Sequence, residues 1–231
     1  MKVILSVPTY GHIDPQCVRS LRTAVMTAGN HGTYWAGDYS TDRIGYGSGR
    51  NLVARTVVEE SLCDGVVWVD SDMVIPPDSI WRLLLTAEKN RFDLLTGIYH
   101  QRGGDNLPVV YLFNEKTERF TQASMYPEKS IVKMGGCGFG FVWTSLKALK
   151  AIKECPHFRD EGEWFPDYRE GHGKYGEDLG FCRLAIQAGI QLYADSNILL
   201  GHSGEPVVVT RETYMSKLVK DGELKRVTLV E

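Results

Sequence analysis

Gly65-Val66-Val67-Trp68-Val69 is a run without a polar side chain, and it ends on Asp70-Ser71-Asp72. A segment this apolar has no solvent-facing side. It fits the centre of a sheet covered on both faces, as in parallel α/β sheets. The flanking sequence supplies the cover. Residues 2–7 form a second β-branched and Leu-rich run closed by Pro8. Asp14-Pro15 offers an N-cap and a first-turn proline, and Val18, Leu21, Val25 and Ala28 follow at helical spacing until Gly29-Asn30. A weaker strand is expected over 33–36, and a glycine-rich loop over 45–49, with Ser48 capping a helix through residue 62. A helix led by Pro77 carries Ile80, Leu83, Leu84 and Ala87 on one face, and a strand follows over 93–99. Strand and helix alternate throughout, which predicts a doubly wound α/β sheet.

The middle of the chain departs from that rhythm. Residues 107–113 and 120–134 suggest extended or hairpin elements, and 138–143 a further strand with a helix to about 154. An irregular loop is expected over 155–176, then a helix over 177–188 and a strand over 191–194. Ligands in open α/β sheets bind beyond the carboxyl ends of the strands, which directs attention to residues 8–10, 70–72, 100–102 and those after 194.

Composition narrows the function classes. The 231 residues carry 26 Lys plus Arg and 29 Asp plus Glu, a net charge of −3. That excludes a uniformly basic nucleic-acid binder and leaves a local basic patch open. The apolar stretches, such as 139–143, are far shorter than a bilayer span, and the N-terminus lacks a signal-peptide core. Five cysteines (17, 63, 137, 155, 182) without a Cys-x-x-Cys pair argue against a disulfide framework and fit a reducing, cytoplasmic setting.

Several short motifs carry potential chemistry. Asp70 and Asp72, just past an apolar strand, are hard oxygen ligands suited to Mg²⁺ or Mn²⁺ on a diphosphate, although Asp-x-Asp is also a common turn. Glu177-Asp178 opens a helix, where one acid can cap while the other serves as a general base. His202, between Gly201 and Ser203-Gly204, has a neighbourhood suited to a metal ligand or an exposed loop. Arg50, near the start of a helix, is placed to meet a nucleotide. Residues 135–140 hold four glycines, read either as a bulge or as close backbone approach to a sugar. Gly45-x-Gly47-x-Gly49 lacks the Lys-Ser/Thr of a phosphate-binding P-loop. Cys137 has no adjacent base, which argues against a nucleophile. Residues 100–106, with Gly103-Gly104 at the centre, have the composition of a mobile lid.

The order of these pieces resembles the family 2-like glycosyltransferases with the GT-A fold: Pro8-Thr9-Tyr10, Arg50-Asn51, Asp70-Ser71-Asp72, a glycine-rich Gly-Phe strand, Glu177-Asp178, Gly201-His202. The stretch Tyr175-Gly176-Glu177-Asp178-Leu179-Gly180-Phe181 is similar to that family's segment carrying the acidic pair. The resemblance implies one GT-A (Rossmann-like) domain over 1–204, with a mixed, mostly parallel sheet and a small antiparallel hairpin region. Residues 205–231 would form a tail packing on or near the active site. It further implies metal-dependent transfer of a sugar from a UDP- or GDP-sugar to an acceptor hydroxyl. Thr9, Tyr10, Asp38, Arg50, Asn51, Asp70, Gly136 and Gly138 would line the donor site, with Asp42 an alternative to Asp38. Asp72 and His202 would hold Mn²⁺ or Mg²⁺, Asp178 would be the base, and Glu177 would contact substrate or cap the helix. The same fold and metal site serve inverting and retaining members. The acceptor is a saccharide, a protein or a modified nucleic-acid base. The basic tail (Lys217, Lys220, Lys225, Arg226) suits the last, and a solvated helix face explains it equally well. No membrane anchor is expected. The alternatives are a nucleotidyltransferase making a nucleotide sugar, which the absence of a Gly-rich, Lys/Arg-bearing segment after the first strand disfavours, and a non-catalytic nucleotide-sugar-binding module.

Overall fold

The computed structural model describes residues 1–9, 11–42, 44–61, 63–170, 173–204 and 209–221. Tyr10, Lys225 and Arg226 lie outside the described residues, as do the side chains of Asp42, Lys217 and Lys220. The first half runs β1 (Lys2–Thr9), α1 (Pro15–Asn30), β2 (Tyr34–Asp42), α2 (Tyr46–Glu60), β3 (Gly65–Val69), β4 (Met73–Val74), α3 (Ser79–Asn90) and β5 (Leu94–Ile98). Short strands follow: β6 (Val110–Asn114), β7 (Arg119–Gln122), β8 (Ile131–Met134), β9 (Gly136–Cys137) and β10 (Phe141–Ser145). The chain continues through α4 (Leu146–Glu154), α5 (Pro156–Glu161), β11 (Tyr168–Glu170), β12 (Gly173–Tyr175), α6 (Glu177–Gln187), β13 (Leu192–Leu199), β14 (Gly201–His202) and α7 (Arg211–Asp221).

Seven strands form the central sheet in the order β2-β1-β3-β10-β5-β13-β8. Pairing is parallel for β1 with β2 and β3, and for β5 with β13, whereas β10 runs antiparallel to both its neighbours and β8 antiparallel to β13. All but β8 and β10 therefore point the same way. The sheet is mixed and mostly parallel, flanked by helices, as expected. A separate antiparallel β7-β6-β9 sheet forms the hairpin region.

Strand alternation divides the core in two. Ile4, Val66 and Trp68 face Val53, Val57, Leu149 and Phe181 of α2, α4 and α6. Val3, Leu5, Val67 and Val69 face Ala24, Ala28, Ile80 and Leu83 of α1 and α3. All five residues of β3 are buried, which accounts for their apolar run. The Asp14 carboxylate caps α1 by accepting the Gln16 N–H at 2.7 Å, with Pro15 in the first turn.

The structure corrects several boundaries. β2 extends to Asp42 and β13 to Leu199. The glycines expected in a loop at 45–49 form the N-cap and first turn of α2. Packing overrides their poor helix propensity, since a Cβ on Gly47 would come within 3.2 Å of Glu177 Cβ. The region 155–176, expected to be irregular, contains α5 and the β11–β12 hairpin. Among the described residues, no helix is long and apolar enough to cross a membrane.

Candidate active site

Beyond the carboxyl ends of β1, β3 and β5, the chain gathers four carboxylates and two guanidiniums. Arg50, in the second turn of α2, is almost wholly buried. Its Nη2 donates to Asp70 Oδ1 at 2.6 Å, and its Nη1 to Glu177 Oε1 at 2.9 Å and Asp178 Oδ1 at 2.7 Å. Phe139 and Phe165 flank the guanidinium, their ring centroids 5.5 and 5.7 Å from its central carbon. Burial opposes the charge on Arg50, but the three carboxylates outweigh it and hold the group firmly cationic.

One arginine cannot neutralise three acids. Burial pushes Asp178 up to about 7; Arg50 pulls it down while Asp70 and Glu177 add to the rise. Burial likewise raises Asp70 above the usual carboxylate range, against the pull of Arg50. The second oxygen of Asp178 accepts the Phe139 N–H at 3.1 Å. With its side chain 29% exposed, Asp178 retains an open face toward the crevice. A carboxylate held near neutral pH at a strand-end crevice has the properties of a general base.

A two-residue ribbon builds the second half of the site. β14 pairs antiparallel with β4, setting His202 opposite Met73. The Ser203 N–H donates to the Asp72 carbonyl at 2.8 Å, and the Ser203 hydroxyl to Asp14 at 2.9 Å. This stitching brings His202 Nε2 to 3.4 Å from Asp72 Oδ2. His202 Nδ1 lies 2.9 Å from the His100 carbonyl. A carbonyl only accepts, so Nδ1 carries the hydrogen, and in the neutral ring Nε2 presents a lone pair toward Asp72. Two lone pairs at this separation suit a shared divalent ion, since donors about 2.1 Å from one ion lie about 3 to 3.5 Å apart. The tautomer is fixed by a backbone carbonyl, as is usual for ligating histidines. Asp72 and His202 therefore fit a divalent cation as a pair. No cluster of three or more His, Cys, Asp or Glu ligands is found among the described residues.

The other expected donor-site residues divide. Thr9 is buried at the end of β1, its hydroxyl donating to the His12 carbonyl at 2.9 Å. Asp38 is exposed on β2. Asn51, expected near a nucleotide, is buried and ties the 164–165 segment to α2. Its oxygen accepts the N–H groups of Trp164 and Phe165 at 2.8 and 3.0 Å, and its amide donates to the Phe165 carbonyl at 3.5 Å. Arg50, expected near a nucleotide, is the counter-ion of Asp70, Glu177 and Asp178. Gly136 and Gly138 are buried, and protein packing explains both: a Cβ at 136 would crowd Leu179 and Phe120, and one at 138 the Tyr99 hydroxyl.

Tyr99 and Arg102 enter the site without a strong sequence signal. The buried Tyr99 hydroxyl accepts the Gly140 N–H at 3.1 Å, and its ring stands edge-on to His202 at 5.5 Å. Tyr99 follows directly on β5 and Arg102 lies four residues past its end, where strand-end placement is the available clue. From α7, the buried Tyr214 ring packs 4.9 Å from His100. A cavity of about 350 Å³ lies at the other end of α6, among Leu112, Met134, Ile186 and Ile190, and contains none of these acids. Convergent charge, more than volume, marks the candidate site.

No protein-family model matches the chain, and no curated protein matches it in sequence. The fold has relatives among solved structures. The crystal structure of A197 from STIV is similar over 92% of this chain and 91% of that one, with a TM-score of 0.59 and 17% identity. That of GalNAc-T7 with UDP, GalNAc and Mn²⁺ is similar over 87% of this chain, with a TM-score of 0.52 and 9% identity; the match spans 43% of its length. At such identities the likeness is one of fold, and that fold is glycosyltransferase-like.

Proposed function

We propose that the protein is a cytoplasmic, metal-dependent glycosyltransferase of family 2-like type. In this reading it moves a sugar from a UDP- or GDP-sugar to an acceptor hydroxyl. The observation that carries the reading is the convergence of Asp72, His202 and the proton-accepting Asp178 at the strand ends of a glycosyltransferase-like fold. A fold neighbour holding UDP, GalNAc and Mn²⁺ supports the donor class and the cation.

Asp72, in the DxD position, and His202 would hold Mn²⁺ or Mg²⁺. Held there, the ion would supply Lewis-acid charge to offset that of the departing diphosphate. Thr9 and Asp38 would meet the nucleotide in this scheme, with Tyr10 assigned to the same role from the sequence alone. Asp178 accepts the acceptor's hydroxyl proton while that oxygen bonds to the anomeric carbon and the bond from that carbon to the diphosphate oxygen breaks, its electron pair leaving with the nucleotide. Arg50 orients Asp178 and Glu177 from beneath. The acceptor remains a saccharide, a protein or a modified nucleic-acid base.

A thermal-shift screen of UDP- and GDP-sugars with Mn²⁺, followed by turnover assays of Asp178→Asn, tests the reading. The donor should stabilise both proteins alike, and the variant should lose transfer. No stabilisation by any donor would refute the donor class, and near-normal turnover would remove Asp178 from the chemistry.

A further inference from the structure

Arg102 stands where a cation would. Its Nη2 lies 2.9 Å from Asp72 Oδ2, the same oxygen that faces His202 Nε2. Its Nη1 donates to the Ser203 carbonyl at 3.1 Å. The seat is shaped for this side chain: a Cβ on Gly204 would come within 2.7 Å of Arg102 Cδ, so glycine there leaves room for the stem.

The arm bearing Arg102 is a compact turn. Gln101 N–H donates to the Leu107 carbonyl at 2.9 Å, and Asn106 N–H to that of Gly103 at 3.1 Å. Gly103, Gly104 and Asn106 all adopt left-handed backbone angles, with φ of 72°, 54° and 51°. Residues 102–105 are exposed, and the Arg102 side chain is 49% accessible. Such a guanidinium returns to water easily, so its hold on Asp72 is weak enough to be exchanged. A divalent ion on the same oxygen carries twice the charge and repels the arginine.

We propose that Arg102 is a built-in competitor for the cation position on Asp72. With no ion bound, it neutralises Asp72 and holds the turn over 100–106 against the site. A divalent cation entering between Asp72 and His202 displaces the guanidinium and frees the turn. The inference rests on Asp72 and His202 being a cation site.

Trypsin reports the exchange in the full-length protein, because the bond after Arg102 is cut only when that side chain can enter the protease. Adding Mn²⁺ should speed cleavage after Arg102 about tenfold relative to cleavage after Arg91, the C-cap of α3. By calorimetry, Arg102→Gln should bind Mn²⁺ about tenfold more tightly than the unaltered protein. If both proteins bind Mn²⁺ equally and cleavage after Arg102 does not change, the exchange is overturned and the cation site stands. If neither binds Mn²⁺, the cation site falls and the exchange with it.

Discussion

Asp178→Asn should stabilise the fold at neutral and alkaline pH, by an amount that follows from its surroundings. Burial against Asp70 and Glu177 raises the carboxyl from 3.8 to about 7. Between those values the folded protein holds a proton that the unfolded chain has released, so stability falls as pH rises through that window. Below about pH 4 both states are protonated and this loss vanishes; above about pH 7 it is complete. Asparagine does not titrate there and escapes the loss. A shift of about three units corresponds to a ceiling of about 4 kcal/mol. Water reaches the partly exposed carboxylate, and asparagine has one oxygen for the two acceptor contacts to Arg50 and Phe139. The expected net gain is therefore about 1–2 kcal/mol near pH 8, or about 3–6 °C in Tm for a chain of this size.

Urea unfolding of both proteins at about pH 4.5 and about pH 8 isolates the effect, since the other acids titrate in both and largely cancel. The difference between them should open with pH. A difference independent of pH, or a variant that loses ground as pH rises, would refute the claim that this carboxylate is held uncomfortably in the fold. The same substitution is expected to abolish transfer, so stability and turnover should move in opposite directions.

Two structural changes should act without touching the acids. Asn51→Ala leaves the Trp164 and Phe165 N–H groups buried without their acceptor and should cost about 2–4 kcal/mol in denaturant unfolding; a change under about 0.5 kcal/mol would mean the 164–165 segment finds other partners. Thr144→Val removes the acceptor of the Trp68 indole N–H in the core and should cost about 1–2 kcal/mol, with Thr144→Ser restoring most of it.

What the sequence made legible follows from the range of the interactions. β3 announced itself because burial on both faces leaves a continuous apolar run, and the acids after it followed from that placement. α6 and its opening acids were equally plain. The ion pairs of Arg50 were not legible because its partners lie 20, 127 and 128 residues away, and no local pattern encodes them. Asn51 reaches 113 and 114 residues to Trp164 and Phe165. The β4–β14 ribbon that sets His202 beside Asp72 has two residues per strand, too few for any periodicity. Three glycines disguised the start of α2, where tertiary packing outweighs propensity.

The charges of the assembled site constrain the order in which it can be filled. Among the described residues, Asp70, Asp72, Glu177 and Asp178 pair with the guanidiniums of Arg50 and Arg102, which leaves an excess of two negative charges when these acids are ionised and His202 is neutral. A nucleotide diphosphate is itself anionic, and in a partly buried crevice like charges repel more strongly than in water. A proton on Asp178 removes half of that excess near pH 7, and a divalent cation beside Asp72, which takes the place of Arg102, also removes half. The cation should therefore precede the donor or arrive with it. UDP or GDP affinity measured with Mn²⁺ should exceed that in EDTA by about tenfold or more. The residual binding in EDTA should strengthen as pH falls below about 7, because Asp178 then carries its proton. Equal affinity with and without the ion would show that Arg50 and Arg102 suffice to receive the donor, and would overturn this order.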